Sequence, residues 1–482
     1  MSGYKGIGGW LLGSVALCGL LAAGPAHADA TEDLLRQLKA KGILNQQEYD
    51  AILGRKQVED KAQAQKQEEA TAAAVAAARA EATQGGDALY VKVKDPSKGI
   101  GMQVGPVDIA LSGSINAFYV HSGKDDGNSP VALGTVGGTD DTSAVRNGLL
   151  PGFLKIDVTT SDDGVTYGGH FGLYPGINSV SWANGANAAG APQGLATSGI
   201  DFRQVYMTVA SDGFGEFKAG RDIGLFGSEA ILSDMLLLGV GGTGGNAAPS
   251  NTSLGHIGTG YIYTDFQPQI TYTTPDLGGF KASLGIFQPL DTVAVLGPNL
   301  TGHDSPGFQG KVTYDFDTGD IGGRLFAGGV VQELSASQDK GEPSSAETTA
   351  YAVDIGAKLT WGGASLLGYY YNGKGVGTTG LFYGSVAANG EARDSQGFLV
   401  QGTYSFGKFT VGASYGASYL DLADGEASSI LVESNTAAAL QARYALRKWA
   451  TVVGEYIHMD SEAHDGSDAS EDIFALGTIL FF

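Results

Sequence analysis

The sequence predicts an all-β protein, a 16-stranded antiparallel transmembrane β-barrel with an inward-folded third loop, preceded by an N-terminal helical segment. Three observations carry that prediction. From residue 106 onward, runs with a period of two follow one another to the end of the chain. Their connections alternate between tight turns and long polar loops, the plan of a barrel with a smooth end and a ragged end. The last run places Phe474, Leu476, Thr478, Leu480 and Phe482 at alternate positions and closes on an aromatic. Composition agrees: 76 glycines, 21 tyrosines and 20 phenylalanines with only 17% charged residues suit many short strands joined by turns.

The chain begins with the three parts of a secretory signal peptide over residues 1–28. Lys5 is the positive end, Trp10 to Ala23 the apolar stretch, and Ala26-His27-Ala28 the small-x-small cleavage site. The single cysteine, Cys18, lies inside it, so the mature chain is expected to have no thiol chemistry. Removing Lys5 takes the net charge from −22 to −23. An exported protein this acidic repels phosphates, which excludes nucleic acid as a partner. No later apolar run reaches the length of a membrane helix. That leaves strands as the means of crossing a membrane, since each needs only about 9 to 11 residues.

Residues 29–86 read as helical. Thr31 caps a helix whose first turn carries Glu32 and Asp33, and Leu34, Leu35 and Leu38 form its apolar stripe. Asn45 and Glu48 make a second cap pair before Tyr49, Ile52 and Leu53. Residues 56–83 are rich in Ala, Gln, Glu and Lys and offer little to bury alone. Two readings stand: a solvated spacer, or an alanine-seamed coiled coil in a trimer lying in the periplasm. Residues 29–84 are then a candidate tether to peptidoglycan. Residues 87–105 form a linker holding a short strand from Ala88 to Lys94.

The barrel spans 106–482. Strands are expected at 106–120, 148–160, 164–176, 200–210, 215–222, 258–274, 280–289, 308–317, 321–333, 348–361, 364–373, 393–406, 408–420, 436–447, 449–460 and 471–482. Long loops fall at 121–147, 177–199, 223–257, 374–392 and 461–470. Tyr351, Val353, Ile355, Ala357, Leu359 and Trp361 occupy one parity, while Asp354, Lys358 and Thr360 occupy the other. A soluble sandwich shows the same alternation with its apolar face inward. The signal peptide, the asymmetry of the loops and the terminal aromatic strand decide for the membrane.

The third loop is the most informative. It follows Gly215-Glu-Phe217-Lys-Ala-Gly220-Arg221, carries Asp234-Met235-Leu236 and then Gly241-Gly242, and is too long and apolar for an ordinary surface loop. Farther on, Thr274-Pro275 precedes Gly279-Phe280. In these motifs the chain resembles the trimeric 16-stranded general diffusion porins of Gram-negative outer membranes. The resemblance implies that the third loop folds inward and sets its carboxylates against wall arginines. Such opposed charges act strongly on a dipolar solute in a narrow, partly desolvated channel. It also implies a constriction built from Arg221, Asp234, Glu229, Lys218 and Leu238. There Leu238 stands where the family has a second carboxylate, and Glu229 is its alternative. Lys155 stands in for an arginine on the second strand.

Parity puts Lys155, Lys281, Lys311, Arg324, Lys358, Arg443 and Arg447 in the lumen with Asp315, Asp354 and Glu455, and Arg203 joins the pore-lining set. The basic excess on the wall leans toward anions. The seven histidines show no metal spacing, and neither a nucleophile elbow nor a phosphate loop occurs. No cofactor, metal or enzymatic activity is therefore expected. The expected function is passive diffusion of small hydrophilic solutes and ions through a homotrimer embedded in outer-membrane lipid and lipopolysaccharide. The alternative is a substrate-selective channel for small carboxylates with an N-terminal cell-wall tether.

Overall fold

The computed structural model describes residues 100–177, 200–244, 252–342 and 347–482 apart from Gly137 and Ser428, the backbone of Val91–Val93, and four isolated positions (Lys39, Lys41, Asn45, Gln47). The expected signal peptide and the helical or coiled-coil reading of 29–86 lie outside the described residues. Two compact units divide the chain, Met1–Tyr90 and Val91–Phe482, and the described strands all belong to the second.

In chain order they are β1 (Val91–Val93), β2 (Ile100–Val104), β3 (Val107–Lys124), β4 (Thr142–Arg146), β5 (Phe153–Asp162), β6 (Val165–Pro175), β7 (Ile200–Ser211), β8 (Gly215–Ile223), β9 (Phe266–Thr273), β10 (Phe280–Phe287), β11 (Gly307–Asp317), β12 (Ile321–Ser335), β13 (Glu347–Trp361), β14 (Ala364–Lys374), β15 (Asp394–Phe406), β16 (Phe409–Leu420), β17 (Val432–Arg447), β18 (Ala450–Ala463) and β19 (Asp468–Phe481). Antiparallel ladders run from β3 to β5 and then through each successive strand to β19. The pairing of β19 with β3 closes the ring at 16 strands. Closure leaves no unpaired edge, which lets a sheet cross lipid. At the tight-turn end Phe482 exchanges hydrogen bonds with Gly113 (2.9 and 3.0 Å). Below that point β2 takes over the pairing with β3, and β1 pairs with β2.

The outward rows are apolar as expected, with Tyr351, Val353, Ile355, Leu440, Phe474 and Leu476 exposed. An aromatic belt marks the tight-turn end: Phe406 lies 5.8 Å from Phe409, and Phe409 lies 4.7 Å from Tyr444. Such rings settle where hydrocarbon meets headgroups.

Three strand assignments change. The sixth expected strand, β9, starts at Phe266 rather than 258, because Tyr261 and Ile262 are buried within the third loop and Asp265 turns the chain at φ 61°. The second expected strand starts at Phe153 rather than 148, and β4 forms within the expected first loop, pairing with the upper half of β3. Gly148 separates the two, packed so closely on the Gly239 carbonyl that a Cβ would not fit. The last hairpin is longer than expected, running from Ala450–Ala463 to Asp468–Phe481.

The inner wall also departs from a uniformly polar lining. Val453, Ile457, Ile473, Ala475 and Ile479 point inward and are buried. Together with the outward rows they make β18 and β19 apolar on both faces. The third loop covers them.

Candidate functional site

The third loop, residues 224–265, leaves β8 and crosses the lumen. It turns first through a helix α1 (Ser228–Ser233), which starts from Gly227 at φ 71°. A 3-10 turn over Met235–Leu238 comes next, in which the Asp234 carboxylate accepts the Leu236 N–H. Two apolar patches of the inner wall receive it. Phe226, Ala230 and Ile231 pack with Phe326, Leu367, Tyr369 and Leu399, while Met235, Leu236 and Val240 pack with Ala439, Val453, Ile457 and Ile473. Burying an aliphatic side chain of this size is worth about 1.5–3 kcal/mol. The apolar packing is therefore the main attachment.

Hydrogen bonds from wall side chains fix its register. Gln309 on β11 accepts the N–H of Leu225 (2.7 Å) and of Phe226 (3.1 Å). Asp354 on β13 accepts the N–H of Gly227 at 2.8 Å. Gln401 on β15 accepts the Met235 N–H at 2.8 Å and donates to the Ser233 carbonyl at 2.7 Å. Glu455 on β18 accepts from Val240 at 2.7 Å and from the Gln441 amide at 2.6 Å. Arg146 on β4, fully buried, donates to the carbonyls of Thr243 (2.7 Å) and Thr252 (2.8 Å).

The loop thus covers the lumen side of β11–β19 and leaves a cleft along β5–β8. That cleft encloses about 410 Å³. On its wall side stand Lys155, Tyr174, Arg203, Gln204 and Asp222; the loop presents Ile231, Leu232, Leu237, Leu254 and Ile257; Tyr383 and Gly380 of the loop 375–393 close it from above. Leu232 is 55% exposed, a leucine standing free in the lumen.

The wall side is an ordered polar array. Lys218 donates to Asp222 at 2.6 Å, Gln204 donates to the other oxygen at 2.8 Å, and the Tyr174 hydroxyl donates to Gln204 at 2.6 Å. Arg203 lies over the Tyr174 ring at 5.1 Å and the Phe266 ring at 6.0 Å, with Asp201 at 3.3 Å. Lys155 lies 5.6 Å from the Phe153 ring and has no ion-pair partner among the described residues. Arg203 owes its direction to an irregularity. The β6–β7 register slips between Gly172 and Leu173, so that Arg203 is the extra residue and faces the lumen beside Gln204. A bulge of this kind re-aims a side chain that strict alternation would send outward.

The residues expected at the constriction separate. Lys218 lies on the lumen side of β8. Arg221 does not: it pairs with Val205 on the outward parity, is exposed, and donates to the Phe266 carbonyl at 2.5 Å. Alternation from Asp222, which faces the lumen, forces it there.

Asp234 turns away from the pore. Its side chain is buried behind the loop, where it accepts from Tyr261 at 2.8 Å and from the His256 N–H at 3.1 Å, with the His256 ring 3.4 Å away. Burial pushes its pKa up, but the His256 ring and these hydrogen bonds outweigh that and hold it below the ordinary carboxylate value. Leu238 packs toward the wall cluster of β17–β19 rather than into the cleft.

Glu229 meets the wall, not the cleft. Lys311 donates to it at 2.8 Å and Arg324 at 3.2 Å, and Arg324 also grips Asp315 at 2.6 Å. Asp354 and Glu455 are taken up by the loop amides they accept. Lys281 sits near the turn with Asp276 at 3.6 Å. Lys358 pairs with Arg324 on one lumen row, and Arg443 lies on the row of Gln441 and Glu455. Arg447 is exposed at the tight-turn end, where a bulge interrupts β17.

Sequence parity missed Tyr174, Gln204 and Asp222, because an inward tyrosine or glutamine has no signature of its own. The Lys218–Asp222 pair, four residues apart in a strand and hence on one face, was the signal available.

A family model described as Gram-negative porin matches residues 70–464. No curated relative matches the sequence. Among solved structures, the outer membrane channel DcaP of Acinetobacter baumannii is similar at 17% identity and TM-score 0.57, over 78% of this chain and 97% of that one. The anion-selective porin from Comamonas acidovorans is similar at 16% identity and TM-score 0.52, over 78% of this chain and all of that one (100%).

Proposed function

Because the chain belongs to the Gram-negative porin family, we propose that its constriction is the cleft between β5–β8 and the third loop, and that it favours small anions. The protein is an outer-membrane channel for passive diffusion of small hydrophilic solutes. The observation that supports the anion preference is the imbalance of charge around the cleft. Lys155 and Arg203 point into it. Asp222 is paired with Lys218, and Asp201 and Asp265 stand beside Arg203. The loop's Asp234 and Glu229 are turned to His256 and to Lys311 and Arg324, which leaves Lys155 as the cleft cation without an ion-pair partner among the described residues. A charge acts most strongly in a narrow, poorly hydrated passage, so Lys155 and Arg203 outweigh the more distant acidic loop tips. Reversal potential in a salt gradient tests this. An anion-signed potential that shrinks in Lys155→Gln supports it, and a cation-signed potential rejects it.

We also propose a homotrimer with the β18–β19–β3 face turned toward sister subunits. Outward on that face His458 contacts Asp472 at 2.9 Å and Asp460 at 3.3 Å. Ionisable groups facing hydrocarbon are unfavourable by up to about 2–4 kcal/mol, so a protein partner there relieves them. A heat-labile oligomer on gels whose dissociation temperature drops in Asp472→Ala supports this face. A monomer, or an unchanged oligomer, contradicts it.

A further inference from the structure

The loop side of the cleft has a composition that conduction of hydrated ions does not require. Leu232 is exposed in the lumen, Leu237 and Leu254 are half-buried beside it, and Ile231 and Ile257 extend a mainly aliphatic surface that Thr252, Ser253 and Thr379 border. Nothing polar from the helix α1 interrupts it, because Ser228 donates to the Leu225 carbonyl at 2.7 Å and Glu229 faces the opposite wall. Tyr383, 41% exposed, adds an aromatic face from above. An apolar surface in a narrow passage repels water and hinders simple ions. It attracts a solute that carries apolar surface of its own. Across the cleft stand Lys155, without an ion-pair partner among the described residues, and Arg203, stacked on Tyr174 and held within reach by Asp201. Convergent cations on one side and hydrocarbon on the other are the two halves of a site for an amphipathic anion. The volume, about 410 Å³, lies near the lower end of small-molecule pockets.

We propose that the cleft recognises a small organic monoanion with a compact apolar body: Lys155 and Arg203 take its carboxylate, and Leu232, Leu237, Leu254 and Tyr383 take its ring or branched chain. This deepens the anion-preferring reading and rests on it.

Single channels in planar bilayers test the proposal with sodium benzoate, sodium acetate and benzyl alcohol as probes. Conductance in benzoate is expected to saturate with concentration while conductance in acetate keeps rising with the bulk solution. Benzyl alcohol, the ring without the charge, is expected to leave chloride current unaltered. In Leu232→Asn the benzoate-to-acetate permeability ratio is expected to fall roughly fivefold, the loss of one or two methylene-sized contacts. Chloride current in the same bilayer certifies an inserted barrel. Benzoate that scales like acetate overturns the proposal, as does an unchanged ratio in Leu232→Asn or a block of chloride current by benzyl alcohol. These failures are distinguishable from failure of the anion-preferring reading, which appears in chloride alone as a cation-signed reversal potential.

Discussion

Glu455 of β18 accepts the backbone N–H of Val240 at 2.7 Å, across the lumen from the strand where the third loop begins. The same carboxylate accepts Gly241 at 3.3 Å, and it leaves no room for a side chain at residue 239, where the chain has glycine. In Glu455→Ala two buried amides lose their acceptor, about 1–3 kcal/mol each. Single-channel records should then show added current noise, with faster hydrogen exchange over residues 236–242. Glu455→Gln keeps an acceptor oxygen and should be milder. A quiet Glu455→Ala channel would mean that apolar packing alone holds the loop.

The roof over the cleft depends on Arg393. Its guanidinium, 0% exposed, pairs with Glu426 at 2.5 Å and donates to the carbonyls of Gly384 (2.6 Å), Leu296 (3.1 Å) and Val295 (3.2 Å). One side chain thus joins three extracellular loops, 288–306, 375–393 and 421–431. Breaking a buried pair while leaving one charge behind costs about 3–5 kcal/mol. Arg393→Gln should open these loops to protease in intact cells while the barrel itself stays folded. Arg393→Lys should fare little better, because one ammonium cannot span the fork. Protease resistance equal to the parent's would remove Arg393 from this role.

Acid should act late on the part of the loop that Asp234 holds. The folded pKa of Asp234 lies below its ordinary 3.8, so its ionised form favours the folded loop at any pH above that value. That contribution is lost only as pH falls through the lower, folded value. The contribution of Asp234 to conductance and noise should therefore be constant from about pH 7 down to about pH 4 and be lost only below, in the window set by a depressed carboxylate. A transition near pH 6 would point to another group. Asp234→Asn should abolish the acid transition.

The barrel was legible because lipid imposes a period of two on every strand, as the Tyr351–Val353–Ile355 row shows. It was less legible where both faces are apolar, along β18 and β19, since a wall that receives a loop looks in sequence like one that receives lipid. The Asp234-Met235-Leu236 motif marked an inward loop, yet not the direction of its carboxylate. That direction depends on a 3-10 turn whose first N–H it caps and on Tyr261 and His256, more than 20 residues downstream. Arg221 shows the same limit in strands, since uninterrupted alternation on β8 sends it outward, whereas Arg203, expected to line the pore, faces inward through one slipped register on β7.

That pair provides the sharpest test of a constriction built by the wall of β5–β8 facing an apolar loop. Single-channel reversal potentials in a potassium chloride gradient should be compared for the parent, Arg203→Gln and Arg221→Gln. The expected result is a loss of anion preference in Arg203→Gln and the parent's value in Arg221→Gln. The reverse order, with selectivity following Arg221, would contradict it.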